Sequence, residues 1–362
     1  MVSPIPYPII DSREKELMEK LTQEYNRFAE PGLITKTTQS VQRGINHITP
    51  QKVKNIAQKS SQGLQNSIIK ISEGEFIQNT LGHASKGYKG FNETLVKLTL
   101  SKTSILKDLK KVDPNLNSFE EICLLRSYNI EERVTKIELI PILSAFVNGG
   151  ATGFVGLAGI PFNLVINYFL YFRIVQNIAM YYGYDVHGDP RELEFASDVV
   201  IECLSPSKDK GAKNLAGSIG KMTLQSELFA LNKSLTKGLT FEKIASRGGI
   251  ETTYVQVRSF GNKAAQKALD KVGIEQMEVG VFKKMMEQVG GILTKEVTKK
   301  AIPIISSIIG AFSDVYYMKR ILKGANLIYH KRFLLEKEIR ATPFNNIIDY
   351  PYEGNDFDKD MN

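Results

Sequence analysis

The sequence predicts an all-α protein, a multi-helix bundle built around a central glycine-rich apolar helical hairpin. Apolar residues recur at helical spacing along most of the chain. Helix start and stop signals bound several of these segments. A β pattern occurs in residues 249–260, where Thr253, Val255 and Val257 alternate, and a helix remains an alternative there.

The first predicted helix follows a Pro-rich extended segment, residues 1–11. It begins at Ser12 and ends before the Glu-Pro-Gly sequence at 30–32. One face carries apolar residues at steps of three and four, namely Leu17, Leu21, Tyr25 and Phe28. Residues 33–112 have the pattern of several amphipathic helices. The sequence therefore predicts helical structure from the N-terminal end onward.

The next signals are a turn at 113–115 and a capping box in which Ser118 precedes Glu121, predicting a helix over 119–137. A helix is also predicted from Pro161 to Tyr182, with proline in its first turn and Gly183 as its stop.

Another helix is predicted to begin at the Asp-Pro-Arg-Glu sequence, residues 189–192, and to end at Leu204. Within a helical domain over 12–340, residues 205–240 form a flexible Lys-, Ser- and Gly-rich insertion. Residues 341–362 form an acidic disordered tail.

A run of 34 residues without a charge, Leu139–Phe172, is unusual in a chain that is 24% charged. It exceeds the roughly 20 apolar residues that span a hydrocarbon core, and Pro141 and Pro161 interrupt it. Glycines at three-residue spacing let another helix or a bilayer approach the backbone closely. These helix-packing positions are Gly149, Gly150, Gly153, Gly156, Gly159 and the adjoining Pro161. Burial in lipid and burial in a protein core both remain open.

The charge and the chemistry-bearing residue types narrow the class of function. The net charge of +8 favours anionic surfaces in general. Basic residues are dispersed without a recognition motif, so nucleic acid is not an expected partner. The two cysteines, Cys123 and Cys203, form no disulfide framework, which favours a reducing compartment. The four histidines lack metal-ligand spacing, so neither a metal nor a cofactor is expected.

A polar cluster follows the uncharged run. Arg173, the first charge after Glu138, and the tyrosines near it suit a membrane interface. Alternatively, Arg173 pairs with Asp185 or Glu192 and ties two helices together. An enzyme acting on a lipid or phosphate group through Arg173, Tyr182 and Asp185 is a further alternative, for which the sequence offers no nucleophile or metal. The cluster comprises Asn163, Arg173, Tyr182, Gly183, Asp185 and Arg191.

A second cluster, near the C-terminal end, is basic. It comprises Lys319, Arg320, Lys323, Lys331 and Arg332. An apolar helix that runs into a basic end fits an interfacial membrane anchor. It equally fits a core helix whose solvated last turn is favoured by the helix macrodipole.

With these residues the chain resembles the EcsC family of bacterial proteins, over about residues 25–335. The resembling segments are 152–161, Arg173, 178–185, 189–192, Ile302-Pro303, Gly310-Ala311 and 329–333. The family commonly has an aspartate at the position of Asn163. An amide cannot act as a carboxylate partner for Arg173.

The resemblance implies a helical protein associated with the cytoplasmic face of the membrane, linked to an ABC transporter, with no catalytic residue carried over. The expected function is non-enzymatic: regulating a transporter, protecting the envelope or perturbing a bilayer. Expected partners are an anionic phospholipid surface or a membrane protein, with homo-oligomerisation through the glycine zipper. The alternative is a soluble all-α protein-interaction module with the apolar hairpin as its core.

Overall fold

The computed structural model describes residues 10–29, 101–137, 161–205, 278–289 and 315–348, with backbone alone at 161–167, 315–317 and 339–348. These residues form helices and turns without a strand, which confirms the predicted all-α class. The glycine positions of the uncharged run, the insertion from 206 to 240, the alternating stretch at 249–260 and the tail from 349 onward lie outside the described residues.

The first helix, α1, spans Ser12–Phe28, as the sequence predicts. Asp11 caps it by accepting the Glu14 N–H at 2.8 Å, and the Glu14 side chain accepts the Asp11 N–H in return. The apolar face buries Leu21, Tyr25 and Phe28. Local signals therefore determine both the start of α1 and its inward face.

The predicted helix over 119–137 is two pieces, a 3₁₀-helix Glu120–Leu124 and an α-helix Ser127–Thr135 (α3); α2 precedes them at Lys102–Leu109. Leu125 is extended between the pieces. The predicted Ser118 capping box is wrong, because Glu121 instead accepts the N–H of Asn117 at 2.7 Å.

The break near Leu125 has a tertiary cause. It directs the Ser127 N–H to Glu14 at 2.8 Å and the Leu125 carbonyl to Lys337 Nζ at 2.9 Å. A continuous helix would hold both backbone groups within its own ladder. Contacts with two distant helices therefore outweigh the local helical pattern.

The central helix, α4, spans Pro161–Tyr181, and α5 spans Pro190–Leu204. Gly183 ends the first of these segments with φ 77°, the left-handed conformation that glycine adopts without a Cβ penalty. Asp189 caps α5 by accepting the Arg191 N–H at 2.9 Å. These boundaries confirm the predicted helices.

Residues 278–289 form helix α6, and the last helix, α7, spans Val315–Ile348, past the boundary predicted for the tail at 341. Helices α4 and α7 pack against each other; α1, α3 and α5 also contact α7, and α2, α3 and α5 contact α4. Every residue from 168 to 186 is buried. A helix buried on all sides belongs to the core of a bundle, so residues 168–172, the end of the uncharged run, lie inside protein.

Candidate functional site

Arg332 on α7 is a charged residue whose side chain is fully buried in the bundle. Its two terminal nitrogens donate to the Glu192 carboxylate at 2.6 and 2.7 Å. Its Nε donates to Glu336 at 2.7 Å. Burial raises the pKa of Glu192, and the Arg332 charge opposes that shift. Bidentate geometry and charge assistance make this a strong and directional contact.

Aromatic rings enclose the same guanidinium. Its carbon lies 3.9 Å from the ring centroid of Tyr184 and 4.6 Å from that of Phe195. Tyr329 packs against both rings, with centroid distances of 5.6 and 5.4 Å. Three segments singled out in the sequence, 182–185, 189–192 and 329–333, therefore meet around one buried arginine.

Arg173 takes a partner that the sequence did not indicate. Its Nη1 lies 2.6 Å from Glu278 on α6 and 2.9 Å from the Gln176 side-chain oxygen. The guanidinium also lies over the ring of Phe169, 4.8 Å from its centroid. Arg173 is 2% exposed, and it joins α4 to α6 rather than to Asp185 or Glu192.

The turn after α4 places Asp185 beside Lys102 on α2, at 2.5 Å, and the same carboxylate accepts the Gly188 N–H at 2.9 Å. His187 lies half-buried in this turn. Burial lowers its pKa; the charges of Asp185 and Glu278 raise it, while those of Arg173 and Lys102 lower it. Two ion pairs, Asp185–Lys102 and Glu278–Arg173, thus act on one imidazole.

Two other residues of the predicted polar cluster have separate roles. The Tyr182 hydroxyl donates to Asn326 on α7 at 2.7 Å, and its ring stacks on His330 with centroids 5.6 Å apart. Arg191 pairs with Asp189 at 2.7 Å. Asn163 lies on α4, and its side chain is outside the described residues.

The predicted basic cluster is not one exposed face. Lys319 and Lys323 are exposed, whereas Arg320, Lys331 and Arg332 are buried. Arg320 donates to the Cys203 carbonyl at 3.1 Å and lies over the Phe28 ring at 4.2 Å. Lys331 donates to the Thr22 hydroxyl at 2.6 Å. These cations hold α7 against α1 and α5.

Sequence reasoning missed a third buried ionic group. Glu14, fully buried on α1, contacts Lys337 at 2.9 Å and Arg126 at 3.0 Å. Its capping position was readable from the Asp11–Glu14 spacing. Its partners come from residues 112 and 323 positions away, and no local pattern signals them.

Among the described residues, no group of three His, Cys, Asp or Glu side chains is placed to hold a metal ion. Of the helices in the described ranges, none has both the length and the apolar character to cross a membrane.

The described part of the chain is thus an all-α bundle, in which buried motif residues link the helices through ion pairs and hydrogen bonds. The chain belongs to the EcsC protein family, whose family model matches residues 13–334. Neither a curated protein nor a solved structure matches the chain.

Proposed function

We propose that this chain is a non-enzymatic EcsC-family protein that acts at the inner face of the bacterial cytoplasmic membrane. Its uncharged glycine-rich run contacts or enters the bilayer, and anionic phospholipid headgroups attract its basic surface. The physiological role is transporter-linked, envelope-protective or membrane-perturbing.

The observation that carries this proposal is the continuity between the uncharged run and the core. The last residues of the uncharged run, 161–172, belong to α4, in which every residue from 168 to 181 is buried. Because the run shares residues 161–172 with α4, contact of the run with lipid would act on every helix packed on α4.

The placement of the motif residues supports a non-catalytic role. Arg173, Glu192 and Arg332 are committed to ion pairs of 2.6 Å inside the bundle. Removing one member of such a pair leaves the other as an uncompensated buried ion, which destabilises the fold. These charges are therefore better explained as structural groups than as catalytic ones.

The positive charge of the chain is the second observation that supports membrane contact. The net charge of +8 is accompanied by exposed lysines on several of the described helices. They include Lys15, Lys20, Lys107, Lys283, Lys284, Lys319 and Lys323. Each basic residue close to an anionic surface contributes roughly 1 kcal/mol, a contribution that salt reduces.

Vesicle sedimentation of the full chain tests the proposal, with phosphatidylglycerol-containing vesicles compared with phosphatidylcholine vesicles at low and high salt. We expect binding to the anionic vesicles, with a fraction that survives high salt because of apolar contact. Gly153→Asp should remove that salt-resistant fraction, because a charge in the bilayer costs about 3 kcal/mol.

The matched control is Gly280→Asp, since Gly280 is exposed and a Cβ there meets no atom within 4 Å. It introduces the same charge and should retain the salt-resistant binding. Failure of the unmodified chain to sediment with anionic vesicles, or equal binding by the two variants, would overturn the proposal.

The burial of residues 168–172 favours a second candidate, a soluble interaction module in which the run completes the core. In that case Gly153→Asp would lower the melting temperature by far more than Gly280→Asp, and no vesicle binding would occur.

A further inference from the structure

His330 lies in the middle of α7, where this helix contacts α3 and α4. Its side chain is fully buried, and neither ring nitrogen has a hydrogen-bond partner among the described residues. The Tyr182 ring stacks on one face, and Phe333 packs next to that ring at 5.8 Å. A buried polar group without a partner is uncommon, because its desolvation is not offset.

The nearest charge is Glu131 on α3, whose Oε2 lies 3.8 Å from His330 Nδ1, beyond hydrogen-bond distance. The Glu131 side chain is 36% exposed, whereas Tyr182 and Phe333 are buried. Among these neighbours of the imidazole, Glu131 is therefore the one that reaches the surface.

We propose that His330 makes the contact between α3 and α7 sensitive to acid, so that proton uptake by its imidazole opens this contact on the side of Glu131.

The reason is a difference in proton affinity between the closed and open contact. Burial lowers the pKa of His330 from 6.5 to about 4. When the contact between α3 and α7 is open, the imidazole regains its ordinary pKa. It then binds a proton more tightly than it does in the closed contact. Below pH 6.5 acid therefore favours the open state, and below pH 4 the gain levels off at about 300-fold.

The groups around the imidazole also act on this equilibrium. Glu131 faces it from α3 and Tyr182 from α4. Burial and the Glu24 charge on α1 raise the pKa of Glu131, while Lys20 and Arg13 on α1 lower it. Opening returns Glu131 to its ordinary pKa, so proton uptake by this carboxyl favours the closed contact and opposes part of the His330 effect.

Hydrogen exchange of the full chain, followed by mass spectrometry and corrected for intrinsic rates, tests the proposal. We expect protection of α3 and of residues 326–334 to fall by up to about tenfold between pH 7.5 and 5.5, which is the effect of His330 alone. His330→Phe keeps an apolar ring against Tyr182 and should abolish this fall. His330→Gln provides a second replacement that does not titrate.

His187→Phe is the control, because His187 is half-buried in the turn between α4 and α5, and the charges that act on it lie on α2, α4, α6 and this turn. This variant should keep the acid-dependent loss of protection in α3. Unchanged protection of α3 in the unmodified chain down to pH 4.5 would overturn the proposal, as would the same loss in either folded His330 variant.

Discussion

At the scale of single residues, the family-like positions act as paired interior charges. Arg332 is enclosed by two carboxylates and two aromatic rings, and Arg173 by a carboxylate and an amide. Such groups stabilise the fold only as complete sets, because a buried ion without its partner is far less stable than one in water.

We therefore expect Arg332→Met to lower the free energy of unfolding by about 3–5 kcal/mol. Methionine retains an apolar stem beside Tyr184, but it leaves Glu192 and Glu336 as adjacent buried carboxylates. Urea unfolding followed by far-UV circular dichroism measures the loss, since the chain has no tryptophan.

Arg191→Met is the matched control for this substitution. Arg191 also contacts a carboxylate, that of Asp189 at 2.7 Å, but its side chain is 37% exposed. A partly exposed pair contributes up to about 1 kcal/mol. Equal losses in the two variants would contradict a structural role for the buried arginine.

At the scale of helices, two glycines act by different physics. Gly183 ends α4 through a left-handed backbone, which its sequence position predicted. Gly324 lies within α7 where α1 and α5 approach; an added Cβ would lie 2.5 Å from Cys203 Sγ and 2.7 Å from Phe28 Cζ. No sequence pattern distinguishes this glycine from one that faces solvent.

Gly324→Ala should lower the free energy of unfolding by about 1–3 kcal/mol, because Phe28 and Cys203 must move to admit the methyl group. Thermal unfolding measures the change. Gly280→Ala is the control, since nothing lies within 4 Å of its Cβ position; it should be neutral or stabilising by up to about 1 kcal/mol. A stabilised Gly324→Ala variant would contradict the close approach of α7 to α1 and α5.

At the scale of the whole molecule, the first and the last described helices, α1 and α7, are in contact. Glu14 near the start contacts Lys337 near the end, and both are buried. The Tyr25 hydroxyl also donates to Glu202, and Lys331 donates to Thr22. Helix α1 is therefore part of the core, which agrees with the family match beginning at residue 13.

Glu14→Gln should destabilise the whole bundle by about 3–5 kcal/mol, because Arg126 and Lys337 lose their shared carboxylate. The expected result is one cooperative urea transition at a lower midpoint. Glu16→Gln on the exposed face of α1 should change the free energy of unfolding by less than about 0.5 kcal/mol. A separate early transition confined to α1 would show that this helix is not integral to the core.

Local sequence signals predicted a large part of the helical architecture. The bounds of α1, α4 and α5 follow from caps, proline and glycine, which act within one turn of the helix end. The break near Leu125 was missed because its cause lies in α1 and α7. Arg173 was assigned sequence neighbours for the same reason, since Glu278 is remote in the chain.

The amino-acid pattern alone thus determined the helical class, the ends of several helices and the residues around which the bundle is organised. Only the tertiary structure decided which charges meet, which cations of α7 face inward, and that the buried His330 has no hydrogen-bond partner among the described residues. Periodicity and capping depend on neighbours along the chain. Ion pairing and desolvation depend on residues brought together from distant positions by packing.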